Sequence, residues 1–305
     1  MGRKYRKLIK KANKAMDKGD YEQAIIIYKQ AFSQKATAGD LLNLGRAYIY
    51  VGEIDQAIDC FKVLDVVIPE EVVAKEMLVG LYLTKENVSK TIEYGLLAEK
   101  QNSKSYAVYR NLALAYERIG NDDKELEYYE KAWELEPNNY WLNLNLGSCF
   151  EKKNYDTKAL ELFTMAYKID PKGYMVNYNL GVVYGKMVFF NIAKGYYLEE
   201  LNQEQIVPNV YLNLALIYED IDKDYEKAKK TYAKGLTKYP DFLDLWYNYA
   251  CFNVMNDNLQ EATDLFKYVI FKDYDYYEYM LEDKGIKDYL NTEYFQKLEK
   301  ELGKV

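Results

Sequence analysis

Six asparagines, Asn43, Asn111, Asn145, Asn179, Asn213 and Asn248, occupy one position of a pattern that repeats every 34 residues, with one extra residue at the last step. A unit of that length cannot bury its own apolar face, so the units must stack and cover one another. Four of the asparagines sit in near-identical phrases: Arg110-Asn-Leu-Ala, Leu144-Asn-Leu-Gly, Tyr178-Asn-Leu-Gly and Leu212-Asn-Leu-Ala. Between units of one shape, a shared position becomes a row in space. The chain therefore reads as an array, one elongated domain, in which six identical side chains face a common groove.

The units share an internal pattern. In one, Leu41, Leu44, Gly45 and Tyr48 precede a turn at Gly52, and Ala57, Phe61 and Pro69 follow it. Apolar residues three and four apart mark two successive amphipathic helices, and proline ends the second because it cannot continue a helix. Each unit is thus a helical hairpin, with small residues (Ala12, Gly45, Ala113, Gly147, Gly181, Ala215, Ala250) where two helices approach closely.

These residues resemble the tetratricopeptide repeat, whose pattern places Leu-Gly, Tyr, Ala, Phe or Tyr, Ala and Pro at fixed positions over 34 residues. Asn143, Leu146, Gly147, Phe150, Ala159, Phe163, Ala166 and Pro171 follow it in one unit; Tyr109, Leu112, Ala113, Tyr116, Tyr129, Ala132 and Pro137 follow it in the preceding one. The resemblance implies an all-α fold, a right-handed superhelix or solenoid of about eight helical hairpins over residues 1–270. The units begin near 5, 38, 72, 106, 140, 174, 208 and 243. The third is degenerate: Val79 replaces the small residue, Thr91 the alanine and Gly95 the aromatic, so the array is expected to bend or loosen there. Residues 271–305 read as a helical cap.

Composition narrows the chemistry. There is no histidine, and Cys60, Cys149 and Cys251 stand apart in sequence, so neither a metal site, a catalytic residue nor a cofactor is expected. The sparse cysteines and the lack of a leader-like apolar stretch fit a cytoplasmic protein. Seven basic residues between Arg3 and Lys14 leave the remainder of a chain of net charge −7 markedly acidic. An acidic body repels phosphate backbones, which argues against nucleic acid. The basic first helix is apolar on one face at Tyr5, Leu8, Ile9, Ala12, Ala15 and Met16. It reads as the opening helix of the array rather than as a contact with a membrane surface.

What remains is recognition of a protein or peptide. The resemblance implies that the ladder position faces the concave surface. A carboxamide there offers a donor and an acceptor that can pair with an extended peptide backbone without reading its side chains. Arg46, Arg110, Trp141, Tyr178 and Tyr247 flank the row and would supply specificity. The entry helix is similar to that of co-chaperones that clamp a terminal carboxylate. However, Ile9, Val73 and Met77 stand where that clamp needs cations, which argues against it. The sixth unit departs from the usual Gly or Asn turn with Met187-Val-Phe-Phe, making Val188 and Phe189 a candidate protein contact. The preferred reading is a non-catalytic adaptor that binds a peptide through the asparagine ladder. The alternative is a scaffold that self-associates, as a homo-oligomer, through the turn at 187–190 or the terminal repeats.

Overall fold

The computed structural model describes residues 2–32 and 36–303, which form two compact units, Met1–Ile169 and Asp170–Val305. Among the described residues there are eighteen α-helices and no strand. In the first unit α1 (Arg3–Asp17) pairs with α2 (Tyr21–Phe32), α3 (Ala38–Tyr50) with α4 (Ile54–Val67) and α5 (Val73–Thr84) with α6 (Val88–Lys100). The remaining pairs of that unit are α7 (Tyr106–Arg118) with α8 (Asp122–Leu135), and α9 (Tyr140–Lys152) with α10 (Asp156–Ile169). In the second, α11 (Val176–Lys186) pairs with α12 (Phe190–Glu200), and α13 (Asn209–Leu216) runs into a π-helical turn at Ile217–Ile221 before α14 (Tyr225–Lys238). There follow α15 (Leu243–Met255) paired with α16 (Leu259–Lys272), then α17 (Asp275–Glu282) and α18 (Glu293–Glu301).

The small residues and the aromatics of the period are partners. A Cβ on Gly45 would stand 2.7 Å from the Phe61 ring, and one on Gly147 2.6 Å from Phe163. At Gly181 the Tyr197 ring would be 2.4 Å away. The first helix of each of these pairs thus omits a side chain so that the ring of the second can lie on its backbone, and Phe61 and Phe163 become almost completely buried. The degenerate third pair solves the problem differently. Val79 is fully buried on α5, and the space left by Gly95 on α6 is taken by Leu112 of α7, 2.5 Å from where a Cβ would be. Its core stays closed, and it lies well inside the first compact unit.

Each of the eight turns between paired helices places one residue in the left-handed region: Gly19, Gly52, Glu86, Gly120, Asn154, Val188, Lys223 and Asp257, with φ between 54° and 79°. Glycine and asparagine suit this conformation. Val188, at φ 67°, is the one β-branched residue among them, a genuine outlier for its type.

A second recurrent bond closes the link from one pair to the next. Near the start of a first helix, a side chain reaches back six residues to a main-chain carbonyl. Lys75 Nζ donates to Pro69 O at 2.7 Å, Tyr109 Oη to Ser103 O at 3.1 Å and Asn143 Nδ2 to Pro137 O at 2.8 Å. In the second unit Asn177 Nδ2 donates to Pro171 O at 3.0 Å and Trp246 Nε1 to Pro240 O at 2.8 Å. Four side-chain types thus satisfy a carbonyl that a helix end would otherwise leave open.

Much of the tyrosine content has a simple use. Tyr82 stacks on Tyr94, Tyr116 on Tyr128 and Tyr184 on Tyr196, with ring centroids 5.4–5.5 Å apart and planes within 15° of parallel. The rings bridge the two helices of a pair; Tyr82 and Tyr128 are buried, the other four half-buried, and the Tyr128 hydroxyl donates to Glu99 at 2.9 Å. At the C-terminal end, Tyr277, Met280, Tyr289, Phe295 and Leu298 join one apolar cluster with Ala250, Ala262, Phe266 and Ile270. That cluster covers the otherwise open face of the pair α15–α16.

Candidate functional site

All six ladder asparagines lie on the first helix of a pair, three in each compact unit. Their surroundings differ. Asn145 is half-buried and donates through Nδ2 to the Tyr129 hydroxyl of α8 at 3.2 Å; Asn213 makes the same bond to Tyr197 of α12 at 3.1 Å. In both cases the tyrosine belongs to the preceding pair and lies sixteen residues back. Asn43 stands in hydrogen-bonding relation to Tyr28 of α2, which also donates to Asn13. Burial pushes the phenols of Tyr28, Tyr129 and Tyr197 upward, so each hydroxyl keeps its proton.

The other three depart from this arrangement. Asn111 is buried, its oxygen accepting from the Arg110 guanidinium at 3.1 Å and its nitrogen lying against Gly80 of α5. Asn179 is 8% exposed and its buried Nδ2 has no hydrogen-bond partner; sixteen residues earlier the sequence has Phe163, which carries no hydroxyl. Asn248 turns Nδ2 onto its own helix, donating to Asp244 O at 2.8 Å.

Of the flanking candidates, Arg46 is exposed and Trp141 is 51% exposed, its ring edge-on to Tyr140 at 5.2 Å. Arg110 is committed to Asn111, and Tyr178 tilts against Tyr197 at 6.2 Å. Tyr247 is buried: its hydroxyl donates to Asp283 at 2.8 Å, and its ring is packed by Phe266, Tyr276 and Tyr279. Phe266 belongs to α16, but Tyr276, Tyr279 and Asp283 come from α17 and the turn after it, so the repeat period does not show this burial.

At the turn of the sixth pair Val188 is 68% and Phe189 50% exposed, and the neighbouring Ile192 is exposed as well. Phe189 also leans edge-on against Tyr184 at 6.3 Å, a support the sequence does not announce.

The three thiols are raised by burial, Cys60 to about 11 and Cys251 to about 12, and Cys149 is raised further by Glu125 beside it. None is an activated nucleophile. Among the described residues no three acidic or sulfur side chains converge as metal ligands, and no helix is long and apolar enough to cross a membrane.

Residues 106–139 and 209–241 each match a family model of the tetratricopeptide repeat, one in each compact unit. No curated protein matches the chain. Among solved structures, the MamA protein is 25% identical over 56% of this chain and 94% of its own, with a TM-score of 0.51. A tetratricopeptide repeat protein from Parabacteroides merdae is 17% identical over 77% of this chain and 93% of its own, with a TM-score of 0.56. A MamA RS-1 double mutant, 20% identical over 56% of this chain and 97% of its own, has a TM-score of 0.52. With its successive helical hairpins and two matched segments, the chain carries tetratricopeptide repeats, a module that serves protein–protein interaction.

Proposed function

We propose that this protein is an adaptor that holds a peptide segment of a partner against the first-helix faces of its repeats, gripping the backbone through the ladder asparagines. The observation that carries the reading is the tyrosine bond at Asn145 and Asn213. It uses one amide hydrogen and fixes the orientation of a half-buried carboxamide. The amide oxygen and the second hydrogen are left for a ligand, already oriented, which lowers the ordering cost of binding. Arg46 and Trp141, both exposed, would contribute side-chain selection. Arg110, Tyr178 and Tyr247 would act through the shape they give to the surface. Eight units from near residue 5 to 270, closed by a cap over 271–305, belong to the same proposal.

The test is capture of partners by the wild-type chain and by Asn145→Ala, Asn179→Ala and Asn213→Ala combined, with helicity checked first. A partner lost by the triple variant supports the ladder; equal capture by both retires it.

The contiguous exposure of Val188, Phe189 and Ile192 favours a second reading, a scaffold that self-associates through this turn. Sedimentation of Val188→Ser with Phe189→Ser decides it. An unchanged profile removes the turn as a contact.

A further inference from the structure

In the second compact unit the ladder ends beside a cleft of 280 Å³ between α15 and α17. One face of each helix lines it. Asp244, Tyr247 and Asn248 stand at i, i+3 and i+4 on α15, and Asp275, Tyr276 and Tyr279 at i, i+1 and i+4 on α17. Two of the rings are held by hydrogen bonds. The Tyr247 hydroxyl is tied to Asp283 at 2.8 Å and that of Tyr276 to Asp244 at 2.5 Å. Tyr247 and Tyr276 centroids are 5.7 Å apart, and Tyr247 and Tyr279 are 5.0 Å apart at 60°. No cation is among the lining residues, although two carboxylates are.

The half-buried ring of Tyr276, the exposed ring of Tyr279 and two carboxylates around a small opening suit one chemical group. Ring faces attract a weakly hydrated cation, and a planar guanidinium stacks on them while its N–H groups meet carboxylate oxygens. We infer that this cleft receives an arginine side chain of the bound partner segment, with Asp244 and Asp275 as its counter-charges and Tyr276 and Tyr279 as its walls, Tyr247 supporting both rings from behind. The inference rests on the peptide-binding reading and names a side chain that the segment must carry. It also gives a use to Tyr276 and Tyr279, which lie outside the repeat pattern.

N-acetyl-arginine amide and its neutral isostere N-acetyl-citrulline amide, titrated against the full chain, test it through tyrosine ring resonances. The arginine compound is expected to shift the signals of Tyr276 and Tyr279 saturably, the citrulline compound to leave them in place. Asp244→Asn with Asp275→Asn should weaken the response roughly tenfold, and added salt should weaken it too. Because Asp244→Asn also alters the partner of Tyr276, Tyr279→Ala serves as a second variant. It removes a ring that is 59% exposed, and it should weaken arginine binding without loss of helicity. Equal response to both compounds, no response to either, or full binding in the carboxamide variant overturns the inference. Asn145→Ala with Asn213→Ala should leave the arginine titration unchanged. Loss of partner capture in the ladder variant without a selective arginine response therefore marks a failed cleft, and unchanged capture with the arginine response intact marks a failed ladder.

Discussion

Asn145 on α9 and Tyr129 on α8 are joined across the boundary between two helix pairs by a single hydrogen bond, amide nitrogen to phenolic oxygen at 3.2 Å. The bond couples two period positions that a repeat pattern treats as independent. Its value is testable by a double-mutant cycle. Tyr129→Phe and Asn145→Ala should each lower stability by about 1 kcal/mol, and the two should couple by a similar amount. Additive losses in urea unfolding would mean that the bond contributes nothing to holding the pairs together. Tyr197→Phe should repeat the result at Asn213.

Gly147 has no room for a methyl group. A Cβ would lie 2.6 Å from the Phe163 ring, which is 1% exposed and cannot swing aside. Gly147→Ala should therefore destabilise the first unit by about 1–3 kcal/mol through overpacking, despite alanine's better helix propensity. A rise in the unfolding midpoint would show that the ring shifts freely.

At Val188 the expected sign is reversed. An L-residue in the left-handed region costs roughly 1–2 kcal/mol, and a β-branched side chain is among the least suited to it. The residue is largely exposed, so little burial is lost on removing it. Val188→Gly should raise stability by about 1 kcal/mol after allowance for the flexibility of glycine in the unfolded chain. Thermal unfolding of the single variant checks this, and a lower midpoint would falsify the account of strain.

Glu219, in the π-helical turn after α13, is 3% exposed; Tyr232 donates to it at 3.2 Å, Asp220 lies beside it and Lys223 opposes the shift. Burial is the main reason its carboxyl is raised to about 7, with Asp220 adding to it. Since the folded value exceeds the unfolded one, stability from this group is fully present below the ordinary carboxylate value near 4.5 and is lost as pH rises to about 7. The loss is on the order of 3 kcal/mol. Glu219→Gln should flatten the stability profile across that window, as read by chemical unfolding at a series of pH values. A profile that keeps its slope would assign the pH dependence to other groups.

How far the sequence discloses these features depends on whether a feature keeps one residue type. The period, the paired helices and the small positions at Gly45, Gly147 and Gly181 are legible because glycine recurs where a ring must lie on backbone. The partnership of Tyr129 with Asn145 was open to the same reading, since Tyr197 and Asn213 stand at the same separation. The i−6 bond was not, because Lys75, Tyr109, Asn143, Asn177 and Trp246 share only a donor at the end of the side chain. Nor could periodicity show that Tyr247 is covered. Its burial depends on how α17 docks on α15, and nothing in the order of residues within either helix fixes that.

That i−6 bond has a consequence for how such a chain can grow. Donor and acceptor lie six residues apart across a junction, and the acceptor is a main-chain carbonyl that any preceding block supplies, so a block needs only its own donor to be fastened wherever it is inserted. Duplication or deletion of whole blocks would leave every remaining fastening intact, and the donor could then drift among lysine, tyrosine, asparagine and tryptophan without loss. The tyrosine–asparagine bond works the other way. It needs a particular side chain from each of two successive blocks, so it forms only where a block with the tyrosine precedes one with the asparagine, as at Tyr129–Asn145 and Tyr197–Asn213.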